Sequence, residues 1–324
     1  MDKPYRLGID LGGTNLGVLL LDIRKINDEN HGVLATQQCP TRWRDGYEAV
    51  ADDMAMLCRI CLKEAGIKID EINYAGIGSP GVIDSEKGLV LFSSNLNFQK
   101  APIAEALQQR LNLPVSLAND ANAAALGEAR LGAAQGCRHA VVITLGTGVG
   151  GGVIIDGKIM VGFNGGGGEL GHHVVEAHGR ICSCGRRGCW EEYSSAHGLL
   201  LTAKEVLLEY PASVLWQKTN ETGSLQDCRD IFTAYDHGDS AAMEIIRLYI
   251  KMLGVGIINM INLFQPEVLA IGGGLGARSD LYIPSIQPLL QQEVFAYQWM
   301  APTRLVPAAL GNDAGLFGAA LLLN

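Results

Sequence analysis

The chain has 324 residues, of which 48% are hydrophobic and 18% charged, an ordinary globular composition that is long enough for two domains. Its net charge of −9, with no run of Lys or Arg, disfavours nucleic-acid and acidic-membrane partners, although a locally positive cleft could still hold an anionic substrate. We recognise no secretory leader and no apolar stretch approaching about 18 residues, so we expect a cytoplasmic protein with reduced cysteines.

Two segments of the chain resemble each other. LGIDLGGTNLGVLLLD covers Leu7–Asp22, and VVITLGTGVGGGVIID covers Val141–Asp156. Each consists of an apolar strand, a Gly/Thr turn and a second apolar strand, which predicts a β-hairpin in each half. The repeat predicts two related domains that face each other.

Strands and helices alternate between and after these hairpins, which is typical of an α/β architecture. The predicted strands are Tyr74–Ile77, Val115–Leu117 and Val268–Ile271, and the predicted helices include Ile103–Leu111, Ala121–Arg130, Ala241–Leu263 and Asp313–Leu323. We predict an N-terminal α/β domain over 1–132, with the C-terminal helix 313–324 packing on it. A C-terminal α/β domain is predicted over 133–312.

Three glycine-rich turns could gather backbone N–H groups around phosphate oxygens, because glycine permits positive φ and close approach. The first turn comprises Asp10, Gly12, Gly13 and Thr14. The second comprises Gly146, Thr147, Gly148 and Gly150, and the third comprises Gly272, Gly273 and Gly274. One such turn alone often only reverses the chain. Two at equivalent places in a repeated hairpin favour the actin-like (ribonuclease H-like) ATPase fold, in which two related domains hold ATP around a central cleft.

Two other nucleotide motifs match only by accident. Glycines 146, 148 and 151 fit the dinucleotide pattern G-x-G-x-x-G, but that motif requires a helix next, and an apolar strand follows here. Gly152–Lys158 resembles a P-loop, yet Ile159 stands where Ser or Thr is needed.

A compact group of thiols predicts a structural zinc site. Three cysteines fall within eight residues and are separated by glycines that let the loop curl, and a histidine precedes them; the set is His172, Cys182, Cys184 and Cys189. One imidazole and three thiolates form the closed tetrahedral shell of structural Zn²⁺. His173 is a rival ligand and His178 a weaker one; the alternative reading is a redox pair or core thiols. Cys58 and Cys61 are expected in the core.

The polar residues at helix starts and near the cysteines could have either a structural or a functional role. Asn119-Asp120 precedes a helix, so both residues could simply cap it, although a helix start can also hold a carboxylate rigidly at a cleft. Glu169 and Glu191 could be solvated surface residues. Their position beside the predicted zinc ligands favours a role in holding sugar hydroxyls.

These motifs together resemble the ROK family of sugar kinases and regulators, most closely its bacterial glucokinase branch. The resemblance runs through nearly the whole chain and includes LGIDLGGTN, GSPGVID, LANDANAAALGE, TLGTGVGGG, and ELGH followed by CSCGRRGCWE. It implies that ATP binds the first two turns, with adenosine near the third and Mg²⁺ oriented by Asp10. It implies that Asp120 is the catalytic base. Sugar hydroxyls are then held by Asn95, Asn119, Asp120, Glu169, His172 and Glu191, and Gly81 lines the pocket.

The implied activity is ATP-dependent phosphorylation of a hexose, with glucose to glucose 6-phosphate as the expected reaction. The alternatives are another hexose or an N-acylhexosamine such as N-acetylmannosamine or N-acetylglucosamine. A different class, a non-catalytic sugar-sensing regulator, also exists in the family. Its helix-turn-helix domain has no room before the first hairpin, and the acidic charge disfavours DNA. Kinases similar to this one are commonly homodimers or homotetramers.

Overall fold

The computed structural model describes residues 3–219 and 224–323, which form two compact units. The first unit comprises Met1–Val142, Gly151–Gly168 and Ala308–Asn324, and the second comprises Ile143–Gly150 and Glu169–Pro307. The boundaries of these units differ from those of the two domains predicted from the sequence. The predicted domain division stays a prediction. Within the described ranges, every helix is too short or too polar to cross a bilayer.

The described residues contain thirteen strands and ten α-helices. The strands are β1 Tyr5–Leu11, β2 Asn15–Asp22, β3 Val33–Pro40, β4 Ile72–Ser79, β5 Val82–Asp84, β6 Leu89–Ser93, β7 Phe98–Ala101, β8 Val115–Asn119, β9 Ala140–Leu145, β10 Val149–Ile155, β11 Lys158–Ile159, β12 Val268–Gly272 and β13 Arg304–Pro307. The helices are α1 Tyr47–Ala65, α2 Ile103–Leu111, α3 Asp120–Leu131, α4 Glu191–Ser194, α5 Ala196–Leu207, α6 Val214–Thr219, α7 Cys228–Asp236, α8 Ser240–Phe264, α9 Ser279–Glu293 and α10 Ala314–Ala320.

Two five-stranded sheets have the same strand arrangement. The first has the order β3-β2-β1-β4-β8, and the second has the order β11-β10-β9-β12-β13. In the first, β2 is antiparallel to β1 and β3, whereas β4 is parallel to β1 and β8. In the second, β10 and β11 are antiparallel and β12 and β13 parallel. The predicted hairpin repeat and α/β class are therefore confirmed.

The last helix is shorter than the predicted Asp313–Leu323. Asp313 belongs to a 3-10 turn over Gly311–Asp313, and α10 ends at Ala320. The cause lies at the helix end, where the Tyr74 hydroxyl donates to the Ala320 carbonyl at 2.6 Å and accepts from the Leu323 amide at 3.0 Å. A side chain from β4 thus satisfies backbone groups that another helical turn would have paired.

The small residues of α10 allow it to lie directly on the backbone of the first unit. A Cβ atom added to Gly8 of β1 would overlap the Leu316 carbonyl, and one added to Gly76 of β4 would overlap the Ala319 carbonyl. On the helix itself, a Cβ at Gly318 would overlap the Ala123 carbonyl of α3. α10 therefore packs against β1, β4 and α3, the elements that carry two predicted site carboxylates. The other side of the sheet packs on α1, where Cys58 and Cys61 are buried in the core as predicted.

A buried carboxylate joins α3 to the segment before α10. Glu128 is 0% exposed, and its oxygens accept hydrogen bonds from the amides of Ala133 at 2.7 Å, Ala309 at 3.0 Å and Leu310 at 2.8 Å. Three backbone donors solvate the buried carboxylate in place of water. This contact fixes the C-terminal segment against the first unit.

We expect Glu128→Ala to lower the free energy of unfolding by about 3 kcal/mol or more, because it leaves three buried donors unpaired. Urea unfolding followed by circular dichroism measures this change. Glu105→Ala, on the exposed side of α2, is the control and should change stability by less than about 1 kcal/mol. Equal effects of the two substitutions would contradict the assigned role of Glu128.

Candidate functional site

The first glycine turn is closed by Thr41, the residue that follows β3. The Gly12 amide donates to the Asn15 carbonyl at 2.9 Å within the turn. Thr41 donates from its hydroxyl to the Gly12 carbonyl at 2.7 Å and from its amide to the Thr14 carbonyl at 2.9 Å. These bonds engage the Gly12 and Thr14 carbonyls and hold the turn in place. Thr41 was missed by the sequence analysis, since its partners lie far away along the chain.

Asp10 and Asp120 lie close enough for the charge of Asp120 to act on Asp10. Asp10 is near the end of β1, and Asp120 is the first residue of α3. Burial and then the Asp120 charge raise the pKa of Asp10 from 3.8 to about 6. Burial also raises the pKa of Asp120, although a hydrogen bond from the Ala121 amide at 2.8 Å opposes this. Two half-buried carboxylates of like charge fit a divalent cation such as Mg²⁺, for which carboxylate oxygens are ordinary ligands.

The remaining predicted residues of the first unit surround these groups. Asn119 caps α3 by accepting from the Asn122 amide at 3.1 Å, and its side-chain amide donates to the Gly81 carbonyl at 3.1 Å. The cap reading of Asn119 is therefore correct, and it coexists with a position beside Gly81. Asn95 lies beside the first turn, because a Cβ added to Gly13 would be 3.8 Å from the Asn95 Cβ.

The second and third glycine turns lie together in the second unit. The Gly146 amide donates to the Gly148 carbonyl at 3.0 Å, which closes the turn that contains Thr147 and precedes Gly150. Gly273 has φ +80°, and a Cβ there would overlap Leu145, the last residue before the second turn. The predicted Gly272–Gly274 turn is thus adjacent to the second hairpin, as a shared nucleotide site requires.

The four predicted zinc ligands converge. One ligand atom from each of His172, Cys182, Cys184 and Cys189 lies within 4.8 Å of all the others. The His172 Nδ1 atom is 3.7 Å from the Cys182 sulfur, and the Cys184 and Cys189 sulfurs are 3.6 Å apart. These spacings and this donor set fit a tetrahedral zinc ion.

The rival histidine is engaged elsewhere. The His173 Nδ1 atom is hydrogen-bonded to the Leu170 carbonyl at 2.5 Å, and its ring packs on Trp190 with centroids 5.2 Å apart. The group of converging ligands contains His172 and neither His173 nor His178. The structure therefore favours His172 among the three histidines.

The two predicted sugar carboxylates flank the thiol cluster. Glu169 immediately precedes the 3-10 turn Leu170–His172, whose His172 amide donates to the Glu169 carbonyl at 3.1 Å. Glu191 is the first residue of α4, two residues after Cys189, and its carboxylate accepts from the Val149 amide at 2.9 Å. Glu191 is half-buried and its neighbour Glu192 is only 6% exposed, so Glu191 is not the solvated surface residue that the alternative reading made it.

The raised pKa of Asp10 predicts a pH-dependent contribution to stability. In the folded state the Asp10 carboxyl keeps its proton up to about pH 6, whereas in the unfolded state it loses the proton near pH 3.8. Raising the pH from 3.8 to about 6 therefore lowers the free energy of unfolding. Asp10→Asn should therefore become more stable relative to the wild type between about pH 4 and pH 6, by at most about 3 kcal/mol.

Urea unfolding in a chelating buffer at several pH values tests this expectation. Asp28→Asn, which removes a carboxylate at an exposed position, is the control for the change of net charge. A stability difference between Asp10→Asn and the wild type that stays constant with pH would contradict a raised pKa of Asp10. Added Mg²⁺ should reduce the destabilisation of the wild type, because a cation favours the ionised carboxylates.

Comparisons with known proteins agree with this arrangement. Over residues 6–324 the chain matches the model of the ROK family. It is 34% identical over 328 residues to a glucokinase of Thermotoga maritima, covering 100% of this chain and 98% of the relative. It is 31% identical to the xylose repressor of Bacillus subtilis, covering 97% of this chain and 75% of the repressor.

A solved structure extends the likeness to three dimensions. A ROK family glucokinase from Streptomyces griseus, solved with glucose and AMPPNP, superposes with a TM-score of 0.80 at 32% identity. The alignment covers 98% of each chain. The predicted actin-like ATPase fold is confirmed by this likeness together with the repeated strand order. The sequence match, the shared motifs and the common fold together show that the chain belongs to the ROK family.

Proposed function

We propose that this protein is an ATP-dependent hexose kinase that phosphorylates glucose. The observation that carries the proposal lies within the first unit, where a glycine turn suited to phosphate adjoins two interacting carboxylates, Asp10 and Asp120. A sugar-binding module alone has no need for this combination. Two glucokinases that are 33% and 34% identical to this chain, over 97% and 100% of its length, support the same reaction class.

Phosphoryl transfer depends mainly on positioning and on charge neutralisation. The glycine turns would hold the triphosphate, and Asp10 would hold Mg²⁺, which offsets negative charge on the phosphates. Asp120 accepts the proton of the attacking sugar hydroxyl while the new oxygen–phosphorus bond forms and the bond to ADP breaks. Its raised pKa brings it closer to the solution pH, which suits a general base.

The sugar would be held by the side chains that the family motifs imply. They offer donors and acceptors for ring hydroxyls and are Asn95, Asn119, Asp120, Glu169, His172 and Glu191. Glucose is proposed because glucokinases of Streptomyces coelicolor and Thermotoga maritima are 33% and 34% identical to this chain. An N-acylhexosamine is the alternative substrate, since a solved relative is described as a putative N-acetylmannosamine kinase.

A sugar-sensing regulator is the second candidate, because xylose repressors are also relatives. The two candidates differ in one measurable property: a sensor binds sugar without consuming ATP. The nearby Asp10 and Asp120 favour the kinase, since a sensor has no use for a general base.

The test is a set of specificity constants for glucose, N-acetylglucosamine and N-acetylmannosamine, measured with ATP and Mg²⁺ by following ADP release. We expect glucose to be preferred and Asp120→Asn to reduce kcat by about 10²–10⁴, because the base is lost while the side-chain shape is kept. Asp120→Asn should still bind glucose. Wild-type protein without ADP release on any sugar would contradict the kinase. An acylated sugar preferred more than about tenfold would contradict only the substrate.

We also propose a structural Zn²⁺ held by His172, Cys182, Cys184 and Cys189. Its support is the convergence of four suitable ligand atoms. A closed four-ligand shell leaves no position for substrate, so the ion would stabilise the loop between Glu169 and Glu191 and take no part in the chemistry.

Protein purified without added zinc should contain about one Zn²⁺ per chain by elemental analysis, and Cys184→Ala should contain much less. Loss of the ion should lower the melting temperature and weaken sugar binding, because the loop loses its cross-link. Cys137→Ala, outside the cluster, is the control and should retain the metal. Zinc content near zero in the wild type, or unchanged in Cys184→Ala, would contradict the site.

A further inference from the structure

Two hydrogen bonds connect the segment after the thiol cluster to the second glycine turn. The carboxylate of Glu191, on its Oε2 atom, accepts from the Val149 amide at 2.9 Å. Five residues later, the Ala196 amide at the start of α5 donates to the Gly146 carbonyl at 2.8 Å. Both bonds lie within the second unit, and they hold the turn at each of its ends.

Packing reinforces these bonds from two sides. A Cβ added to Gly148 would lie 2.3 Å from the Glu191 Oε2 atom, so this carboxylate packs directly on the backbone of the turn. A Cβ added to Gly171 would overlap the Val149 carbonyl, which places the segment before His172 against the same residue. The turn is therefore enclosed by the segments that precede and follow the predicted metal ligands.

A carboxylate at this place is unexpected if it serves only the sugar. A negative charge beside a phosphate-binding turn is repulsive toward the nucleotide, and its Oε2 atom occupies an amide that could otherwise face a phosphate. The carboxylate has a second oxygen, Oε1, which can accept a hydrogen bond independently. One side chain can thus contact the turn and a sugar at the same time.

We propose that Glu191 is a positioning residue that couples sugar binding to the second phosphate turn. Its Oε2 atom orients the Val149 amide, and its Oε1 atom accepts a sugar hydroxyl, so that a bound sugar immobilises the side chain that shapes the turn. The coupling is reciprocal, because two ligands that stabilise one arrangement increase each other's affinity. This inference rests on the proposed kinase function and deepens it.

Three variants separate the positioning role from simple sugar binding. Glu191→Ala removes both contacts of the carboxylate, whereas Glu191→Gln keeps an amide oxygen that can still accept from Val149. Ala196→Pro removes only the hydrogen bond from the Ala196 amide to the Gly146 carbonyl. Proline is tolerated at the first position of a helix, and Ser195 before it is already extended at φ −87° and ψ 173°.

The experiment is calorimetric titration of Mg²⁺–AMPPNP into each variant, first without sugar and then with saturating glucose. Without sugar we expect Glu191→Ala to weaken nucleotide binding about tenfold or more, with Glu191→Gln less affected. Ala196→Pro should weaken nucleotide binding and leave glucose binding unchanged. Glucose should tighten nucleotide binding to the wild type and not to Glu191→Ala. Glu169→Ala, another predicted sugar carboxylate, is the matched control that should alter glucose binding alone.

The outcomes distinguish this coupling from the function on which it rests. Nucleotide affinity of Glu191→Ala within twofold of the wild type, together with lost glucose binding, would overturn the coupling and leave the kinase intact. A wild type that binds no AMPPNP would overturn both. Thermal unfolding and zinc content of each variant verify that the affinity changes do not arise from a damaged fold.

Discussion

The site in the first unit is built around the cost of ionising two half-buried carboxylates, Asp10 and Asp120. Burial raises the pKa of both groups, and the charge of Asp120 adds to the effect of burial on Asp10, so ionising both costs free energy. The surrounding structure holds them in place. β1 and β4 pair in parallel, α3 starts directly from β8, and α10 lies on the glycines of β1 and β4. These packed elements fix the backbone positions of both carboxylates.

Mg²⁺ would offset this cost, because a cation favours the ionised carboxylates, and transfer of a proton to Asp120 would remove one of the two charges during the reaction. The stabilising contacts accordingly lie away from the two carboxylates. Glu128 uses three backbone amides to anchor the segment before α10, and Tyr74 ends that helix. Stability and function are in this way assigned to different residues of the same elements.

Local periodicity and glycine spacing were sufficient to predict much of the fold. The hairpins, their repeat, the long helix α8 and the α/β class follow from patterns of neighbouring residues, and the thiol spacing predicted the converging set His172, Cys182, Cys184 and Cys189. Contacts between residues distant in sequence could not be predicted in this way. The Thr41 bonds to the first turn, the three amides around Glu128 and the bond from Val149 to Glu191 each depend on tertiary packing. The end of α10 was misplaced for the same reason, because Tyr74 determines it.

The measurement that tests the central claim most directly is phosphorus NMR of a reaction that contains the protein, ATP, Mg²⁺ and glucose. Our account predicts one new resonance of a sugar phosphate monoester, which grows in step with ADP and is absent when glucose is omitted. It predicts that Asp120→Asn forms this product far more slowly. Inorganic phosphate in place of a sugar phosphate, or no consumption of ATP while glucose binds, would contradict the assignment of a sugar phosphotransferase.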